Sequence, residues 1–411
     1  MSEHVEVLVI GAGLAGLNAA LTLHEAGRQV RVLEAGDVVG GRVRTDEVDG
    51  LQLDRGFQIL NPSYPEVKRL GILEELDLRS FDAGVMVALE QGISRLGDPR
   101  RLPQWLLSAI TAEIGDVKSK AMLVAALGKV WMRGSLEYPT ARVGSVADAL
   151  MLDGVAPHVY DRVLKPFLTG VFLTDPANVA AGYGDFVLRS FIEGTPAVPA
   201  RGMGAIPRAM AMRLPADAVQ CGVRVHAVRV GEVDSDLGTI TADRIIVAAD
   251  PRQAAAWFPA LDVPETLACT TWYHVTEQAP TDARAILVDG LARGPVVNSV
   301  AISKVAPGYA SRGRTLVAST ALGAHNAAEA ELAVRHHLAT MWGINTGDWQ
   351  CVRADVIEQA LPALGVGAPM ARTIEAGQGV WVAGDHRDTP SQQGALLSGR
   401  RAAEAVVRSM R

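Results

Sequence analysis

The first residues whose types and spacing could do chemistry are three glycines and one acid. Gly11, Gly13 and Gly16 are spaced as G-x-G-x-x-G, and Glu34 lies 18 residues after Gly16. Gly11 allows a tight turn, Gly13 lets backbone amides approach a pyrophosphate, and Gly16 lets a helix pack closely on a strand. A carboxylate at Glu34 can accept hydrogen bonds from both ribose hydroxyls of an adenosine and would repel a 2′-phosphate. The pattern therefore predicts a site for an adenine dinucleotide without that phosphate.

The surrounding segments are the elements that such a site needs. Residues 5–10 are a short apolar run, which predicts a buried parallel strand. Leucines and alanines at near-helical spacing over residues 17–23 predict a helix that ends at Gly27, and residues 30–33 predict a second strand. The helix N-terminus supplies free N–H groups and partial positive charge to the phosphates. The cofactor-binding residues predicted in this unit are Gly11, Ala12, Gly13, Leu14, Ala15, Gly16, Glu34 and Ala35.

A Gly-Gly-Arg loop follows the acidic strand at residues 40–42. Arg42 can place its guanidinium on a pyrophosphate, and paired glycines let the backbone approach a flat ring system. Residues 51–58 predict a short hairpin strand that returns to the same site. The cofactor-binding residues predicted in these two segments are Gly41, Arg42, Gly56, Phe57 and Gln58.

These blocks resemble the flavin-dependent amine oxidase and phytoene desaturase superfamily, which includes protoporphyrinogen oxidase. The hallmark of that superfamily is G-x-G-x-x-G, about twenty residues, Glu-Ala, a few residues and then Gly-Gly-Arg. Its second signature is C-terminal, and it matches a strand over residues 379–385 and a helix with small packing residues from about 391. The resemblance implies that the cofactor is FAD.

The resemblance also implies roles for C-terminal residues. Asp385, after Gly384, would hold the ribityl chain of the flavin. The amides at Gly394, Ala395 and Leu396 would face the pyrimidine edge of the ring. A helix N-terminus at that edge would stabilise the negative charge that develops there on reduction.

A third block fits the same cofactor domain. Residues 218–228 alternate like one strand, and residues 240–251 predict a hairpin and a buried strand that ends near the cofactor. By the resemblance, Val225 would contact adenine through its backbone.

These segments predict an α/β fold with two interleaved domains. One is a Rossmann-type FAD-binding domain (three-layer ββα, mostly parallel sheet) at residues 1–80, 201–255 and 351–411. The other is an α+β substrate-binding domain at residues 81–200, mainly helical, and 256–350. Its predicted helices are 102–114, 121–132, 146–151, 157–168 and 327–342, and its predicted strands are 267–275, 296–303 and 315–320.

Composition excludes several other classes of protein. The 411 residues are 49% hydrophobic, with a net charge of −6, which argues against nucleic-acid binding. The three cysteines lack the spacing of a metal site or a disulfide framework, so we predict no metal. The acidic N-terminus does not resemble an export signal, and we expect a cytoplasmic protein with a small-molecule substrate, which could be apolar. The sequence does not determine the oligomeric state.

Basic residues flank the apolar helices between residues 100 and 133. This arrangement is compatible with a peripheral membrane contact, but the acidic net charge favours an ordinary solvated helix edge. The basic residues are Arg100, Arg101, Lys118, Lys120, Lys129 and Arg133.

Two features typical of amine oxidases in the superfamily are missing. Those enzymes place a lysine near the flavin N5, but the matching strand at residues 267–274 contains none, and Lys304 lies beyond it. The position of their aromatic cage residue is Ser391 here. Tyr273 and His274 could face the pocket, although strand alternation would point only one of them inward. Both departures weaken the prediction of an amine oxidase.

The predicted function is an FAD-dependent oxidoreductase that removes hydride from a C–C or C–N bond. Oxygen, a quinone or another acceptor would reoxidise the flavin. A desaturase-like dehydrogenase is favoured over an amine oxidase, and two alternatives stay open: a non-redox flavin-dependent isomerase or cyclase, and a non-catalytic flavin- or pigment-binding protein. Hydride transfer to a flavin needs mainly positioning and water exclusion, so no catalytic residue is assigned.

Overall fold

Two large β-sheets organise the chain in the computed structural model, which describes residues 3–137 and 141–411. The strands are β1 (Glu3–Ile10), β2 (Val30–Glu34), β3 (Thr45–Val48), β4 (Leu51–Asp54), β5 (Leu78–Ser80), β6 (Gly84–Leu89), β7 (Gly92–Gly97), β8 (Ala197–Pro199), β9 (Val219–Cys221), β10 (Val225–Arg229), β11 (Glu232–Ser235), β12 (Gly238–Val247), β13 (Thr266–Thr276), β14 (Ile286–Asp289), β15 (Val296–Val300), β16 (Thr315–Leu322), β17 (Gln350–Pro362), β18 (Glu375–Gly377) and β19 (Val380–Val382).

Helices cover both sheets. They are α1 (Leu14–Glu25), α2 (Pro65–Leu70), α3 (Leu106–Thr111), α4 (Val117–Met132), α5 (Val146–Leu152), α6 (Pro157–Val159), α7 (Lys165–Phe172), α8 (Ala181–Glu193), α9 (Ala205–Ala211), α10 (Pro251–Trp257), α11 (Ile302–Val305), α12 (Ala327–Trp342) and α13 (Gln392–Ser409). A π-helical turn at Tyr160–Leu164 joins α6 to α7.

The first sheet has a parallel centre. β1 pairs in parallel with β12 on one side and with β2 on the other, β9 extends the sheet beyond β2, and β19 joins it beside β12. The side chains of Val7, Leu8 and Val9 in β1 are fully buried, as expected for a strand that is covered on both faces. The antiparallel hairpin β10–β11 forms one edge. This arrangement confirms the predicted α/β class.

The second sheet is mainly antiparallel, in the order β17-β13-β16-β15-β14-β6-β7. On one face, Trp272 of β13 packs with Leu338 and Trp342 of α12. On the other face, Tyr273 and Val275 belong to the core that also contains α1 and α13. Strand β13 therefore has one side toward α12 and one side toward the first sheet.

Several elements differ from those predicted. Residues 84–97 form the hairpin β6–β7, which continues the second sheet through parallel pairing of β6 with β14. Residues 218–228 form two strands, because Gly222 and Val223 donate hydrogen bonds back to the chain around Glu34. Strand β15 ends at Val300. Strand β17 pairs with β13, so residues 350–362 belong to the second sheet. The hairpin β6–β7 and strand β17 are placed by partner strands distant in sequence.

The first and last long helices, α1 and α13, pack backbone against backbone. A Cβ atom at Gly399 of α13 would lie 2.1 Å from the carbonyl oxygen of Ala15 in α1. A second close contact joins α1 to the loop before it, because a Cβ atom at Gly16 would lie 1.9 Å from the carbonyl oxygen of Gly11. The buried Asn18 of α1 donates a 2.6 Å hydrogen bond to the carbonyl oxygen of Leu396 in α13. Glycine is needed at both contacts because each leaves no room for a methyl group.

We expect Gly399→Ala to destabilise the protein by about 3 kcal/mol, because the methyl group must push α13 away from α1. Gly128→Ala is the matched control: Gly128 is inside α4, and a Cβ there would meet nothing within 4 Å. That control should stabilise by about 0.5–1 kcal/mol, since alanine is the better helix former. Urea unfolding of both variants measures the difference, and equal effects would contradict the close-packing argument.

Candidate functional site

The two glycine loops predicted to hold a cofactor lie against each other. Gly11 donates its N–H to the carbonyl oxygen of Leu33, which joins the first loop to β2. Gly40 donates to the carbonyl oxygen of Ala12 at 2.8 Å, and Gly13 and Gly40 form an isolated parallel bridge. Helix α1 begins at Leu14 directly behind these loops. The structure thus brings the Gly-Gly-Arg loop to the N-terminus of α1, whose first N–H groups and dipole favour a phosphate.

Glu34 is held in a fixed orientation at the end of β2. Its Oε2 accepts from the Ala12 amide and its Oε1 from the Gly36 amide, each at 2.7 Å. A carboxylate oxygen has two lone pairs, so each oxygen can accept a further hydrogen bond from a ribose hydroxyl. The neighbouring backbone is that of Val223, which donates to the carbonyl oxygen of Glu34 at 2.9 Å. Val225 lies two residues farther, at the start of β10.

Arg42 forms an ion pair with Asp385, which joins the N-terminal and C-terminal blocks. Its Nη2 is 2.6 Å from Oδ1 of Asp385, and its Nη1 donates to the carbonyl oxygen of Ala360 at 2.9 Å. Burial lowers the pKa of the adjacent His386 to about 3, so this imidazole is neutral and adds no charge beside the pair. Residues predicted to bind the pyrophosphate and the ribityl chain are therefore in direct contact with each other.

The N-terminus of α13 is capped by Ser391. Its hydroxyl accepts from the Gly394 amide at 3.0 Å, and its carbonyl oxygen accepts from the Ala395 amide at 2.9 Å. A serine N-cap engages the N–H three residues later, and this is the function of Ser391 here. The predicted position of the Gly394, Ala395 and Leu396 amides at the pyrimidine edge of the flavin stays a prediction.

The loop after β4 connects the two sheets. The side-chain amide of Gln58 donates to the carbonyl oxygen of Arg42 at 2.8 Å. On the opposite side, the backbone amide of Phe57 lies 3.5 Å from Oγ1 of Thr271 in β13, and that of Gly56 lies 3.4 Å from Oδ2 of Asp355 in β17. Gly56, Phe57 and Gln58 thus lie between the Gly-Gly-Arg loop and the second sheet.

The buried side chain of Asp54 holds this loop in place, and the sequence pattern did not predict this function. The carboxylate is buried and accepts hydrogen bonds from Thr45 Oγ1, the Met203 amide and Tyr309 Oη. Burial raises the pKa of Asp54 from 3.8 to about 6, although the three donors oppose the shift. Tyr273 Oη donates to the backbone carbonyl oxygen of Asp54 at 2.7 Å. The only local signal was an acid at the end of an apolar strand.

The face of β13 toward this loop has uncharged side chains. Cys269, Thr271 and Tyr273 alternate with Trp272 and His274, which face α12. Burial raises the pKa of Cys269 to about 11, so the thiol is neutral. Of the two predicted alternatives, Tyr273 faces the loop, and His274 Nε2 lies 3.3 Å from Glu331 of α12.

The lysine that amine oxidases place near the flavin has no counterpart on β13. Lys304 is in α11, where its Nζ lies 3.2 Å from the exposed Asp282. This ion pair lies on the surface of the protein.

Comparisons with known proteins agree with this architecture. A family model for flavin containing amine oxidoreductases matches residues 14–407. Hydroxysqualene dehydroxylase from Rhodopseudomonas palustris is 28% identical over 444 residues, covering 98% of both chains. Among solved structures, an oxidoreductase from Methanosarcina mazei superposes with a TM-score of 0.77 at 17% identity (97% and 100% covered). Putrescine oxidase bound to putrescine gives 0.71 at 17% identity (99% and 100% covered).

Glu34→Gln should weaken FAD binding by about tenfold to a hundredfold, because an amide offers one acceptor oxygen where the carboxylate offers two charged ones. The matched control is Glu25→Gln, at an exposed glutamate at the C-terminal end of α1. Titration of the apoprotein with FAD, followed by flavin fluorescence, measures both. Equal affinity of the Glu34→Gln variant and the wild type would count against a ribose contact.

The raised pKa of Asp54 makes stability depend on pH. The folded state binds the proton more tightly than the unfolded chain, so the contribution of Asp54 to stability is full below about pH 4 and is lost as the pH rises through about 6, amounting to about 3 kcal/mol. Asp54→Asn removes this titration, yet its amide can still accept from Met203 and donate to Tyr309. Urea unfolding at a series of pH values should show the wild type losing stability relative to the variant. Parallel pH profiles would refute this assignment.

Proposed function

The chain belongs to the flavin containing amine oxidoreductase family and is an FAD-dependent oxidoreductase, and from this premise we propose that it acts on an uncharged C–H donor. The observation that supports this proposal is the uncharged face of β13 beside the loop that contains Gly56 and Phe57. A dehydrogenase or desaturase reaction suits this face better than oxidation of an amine.

FAD fits the residues at the first sheet. We propose that the loop at 11–16 and the N-terminus of α1 bind the pyrophosphate, that Glu34 binds the adenosine ribose, and that Asp385 binds the ribityl chain. Two observations support this proposal. Backbone amides fix the carboxylate of Glu34, and Gly13, which has no side chain, forms a bridge to Gly40 of the second glycine loop. The flavin-binding part would then comprise about residues 1–80 and 201–255, with the last segment beginning after β17.

Bound FAD supplies the acceptor for a hydride from a substrate carbon. In the net reaction the substrate loses a hydride and a proton, and two electrons pass on to oxygen, a quinone or another acceptor. The residues of this chain position the reactants: Asp54 and Tyr273 hold the loop at 56–58, and Gln58 fixes the backbone at Arg42. Buried β13 excludes water, which is what hydride transfer requires.

A row of polar side chains crosses the same sheet face and supports a neutral, hydroxylated substrate. Asn298 of β15 is paired with Thr320 of β16, and Thr320 with Thr271 of β13, so the three lie side by side. The Thr271 and Thr320 hydroxyls are 2.9 Å apart. Within residues 3–137 and 141–411, Oδ1 of the buried Asn298 has no hydrogen-bond partner. We propose that it accepts from a hydroxyl group of the substrate.

The name of the full-length relative points the same way. A hydroxysqualene dehydroxylase is named for a hydrocarbon that bears a hydroxyl group. We propose a substrate of this class for the present chain: a long apolar hydrocarbon with one neutral polar group. An ammonium group would meet no aromatic cage on the β13 face, and the carboxylate beside Thr271, that of Asp355 in β17, is already paired with Arg353 at 2.6 Å.

The test is anaerobic reduction of the bound flavin by two compounds with one carbon skeleton, farnesol and farnesylamine. We expect the neutral alcohol to bleach the flavin at least tenfold faster than the amine, since the side chains of the β13 face are uncharged and the neighbouring Asp355 is already paired with Arg353. A faster reaction with the amine would overturn the proposal in favour of an amine oxidase. Turnover of the alcohol with neither bleaching nor acceptor consumption would overturn it in favour of an isomerase. Failure of both compounds, with dithionite still reducing the flavin, would reject this substrate class.

A further inference from the structure

Helix α4 has an apolar side that no part of the described chain covers. Val117, Val124 and Met132 have exposed fractions of 78%, 69% and 72%. Spacings of seven and eight residues place these positions on one side of the helix. Ala126 and Val130, on the opposite side, are fully buried. Surface helices of soluble proteins normally bury the apolar side and expose the polar side, so this exposed side is expected to have a partner.

The short helix α3 enlarges this surface. Leu107 is 73% exposed and Ile110 is 56% exposed. Lys120 of α4 donates a 2.5 Å hydrogen bond to the carbonyl oxygen of Ile110, which holds the end of α3 beside the start of α4. The apolar residues of the two helices form one surface, here called the α3–α4 face: Leu106, Leu107, Ile110, Val117, Val124, Trp131 and Met132.

The charges along α4 are all positive. Residues 117–132 contain Lys118, Lys120 and Lys129 and no acid, in a protein whose net charge is −6. In sequence, the nearest acids precede the helix: Asp116 caps it by accepting from the Ser119 amide, and Glu113 lies in the preceding turn. At the other end of α4, Lys129 donates to the carbonyl oxygen of Asp153, whose carboxylate is paired with Arg133. Lysine side chains can extend along an apolar surface and place their ammonium groups at its rim. An apolar face with a cationic rim is complementary to anionic lipid.

We propose that the α3–α4 face docks onto an anionic lipid bilayer, with α4 lying in the plane of the interface. Sixteen residues of helix are about 24 Å long, which is shorter than the hydrocarbon core of about 30 Å. No helix in the described ranges is long and apolar enough to cross a membrane. Trp131, near one end of α4 and 54% exposed, is the residue type enriched where hydrocarbon meets headgroups.

The same charges argue against a second copy of the chain as the occupant. A two-fold dimer through this face would set the α4 lysines of one copy near those of the other, with no acid on α4 to pair with them. Anionic headgroups pair with these lysines, and acyl chains cover the leucine, valine and methionine side chains.

Docking here would also bring lipid close to the proposed substrate site, an extension that rests on the proposed function. The buried side of α4 packs in the cluster that contains Leu168 and Phe172 of α7. A Cβ atom at Gly170 of α7 would lie 2.8 Å from Nδ2 of Asn298. The hydrophobic cluster beneath α4 therefore extends to the helix that packs against Asn298.

Vesicle co-sedimentation of the full-length holoprotein tests the docking surface. We expect binding to vesicles of phosphatidylcholine with phosphatidylglycerol, at least fivefold weaker binding to pure phosphatidylcholine, and a loss of about tenfold in affinity for Val124→Asp. The matched control is Val230→Asp, at a valine that is 58% exposed in the turn between β10 and β11. It should bind as the wild type does. Retained flavin absorbance shows that each variant is folded.

Several results would overturn the proposal, and none depends on the reaction catalysed. Failure of the wild type to bind anionic vesicles would reject it, as would equal binding by Val124→Asp. Sedimentation velocity without lipid distinguishes the other occupant: a wild-type dimer that Val124→Asp converts to a monomer would make the face a protein interface. Farnesol oxidation can fail while vesicle binding succeeds, so the two proposals are tested separately.

Discussion

The architecture depends on one close approach, in which the first and last long helices touch backbone to backbone. Gly399 lies against the carbonyl oxygen of Ala15, and buried Asn18 bonds to the backbone of Leu396. This contact joins residues 378 positions apart in a chain of 411. Arg42 and Asp385, which form an ion pair, come from the same two ends of the chain, so these predicted cofactor-binding residues meet only after the two ends have packed.

A second constraint holds the two sheets together at the loop that follows β4. Asp54 is a buried carboxylate surrounded by three donors, and burial raises its pKa to about 6, so its ionised form is less favourable than that of an exposed aspartate. The contacts to Asp54 position the loop. Tyr309 and Tyr273, from the second-sheet part of the chain, donate hydrogen bonds to Asp54 and fix the backbone that leads into Gly56. The loop then lies between the Gly-Gly-Arg segment and β13, with Gly56 packed against Ile357 of β17.

The two proposals share one physical theme, which is the absence of unpaired charge where a substrate would travel. The β13 face has a thiol and hydroxyls and lies beside the paired Arg353 and Asp355 of β17, and the α3–α4 face has apolar side chains with lysines only at its rim. A hydrophobic molecule with one hydroxyl group could leave a bilayer, pass the side chains around α7 and reach Asn298 without meeting an unpaired charge. An ammonium compound would find the carboxylate beside Thr271, that of Asp355, already paired with Arg353.

Features that depend on neighbours along the chain could be predicted from local sequence patterns. The G-x-G-x-x-G loop, Glu34, the Gly-Gly-Arg loop and α12 are local patterns, because turn geometry and helix periodicity involve residues a few positions apart. Tertiary structure decided the rest. The pairing of β17 with β13, the Tyr309–Asp54 contact across 255 residues and the uncovered side of α4 all depend on which distant segments meet. Periodicity shows that a helix has two sides, but only packing shows which side is left facing the solvent.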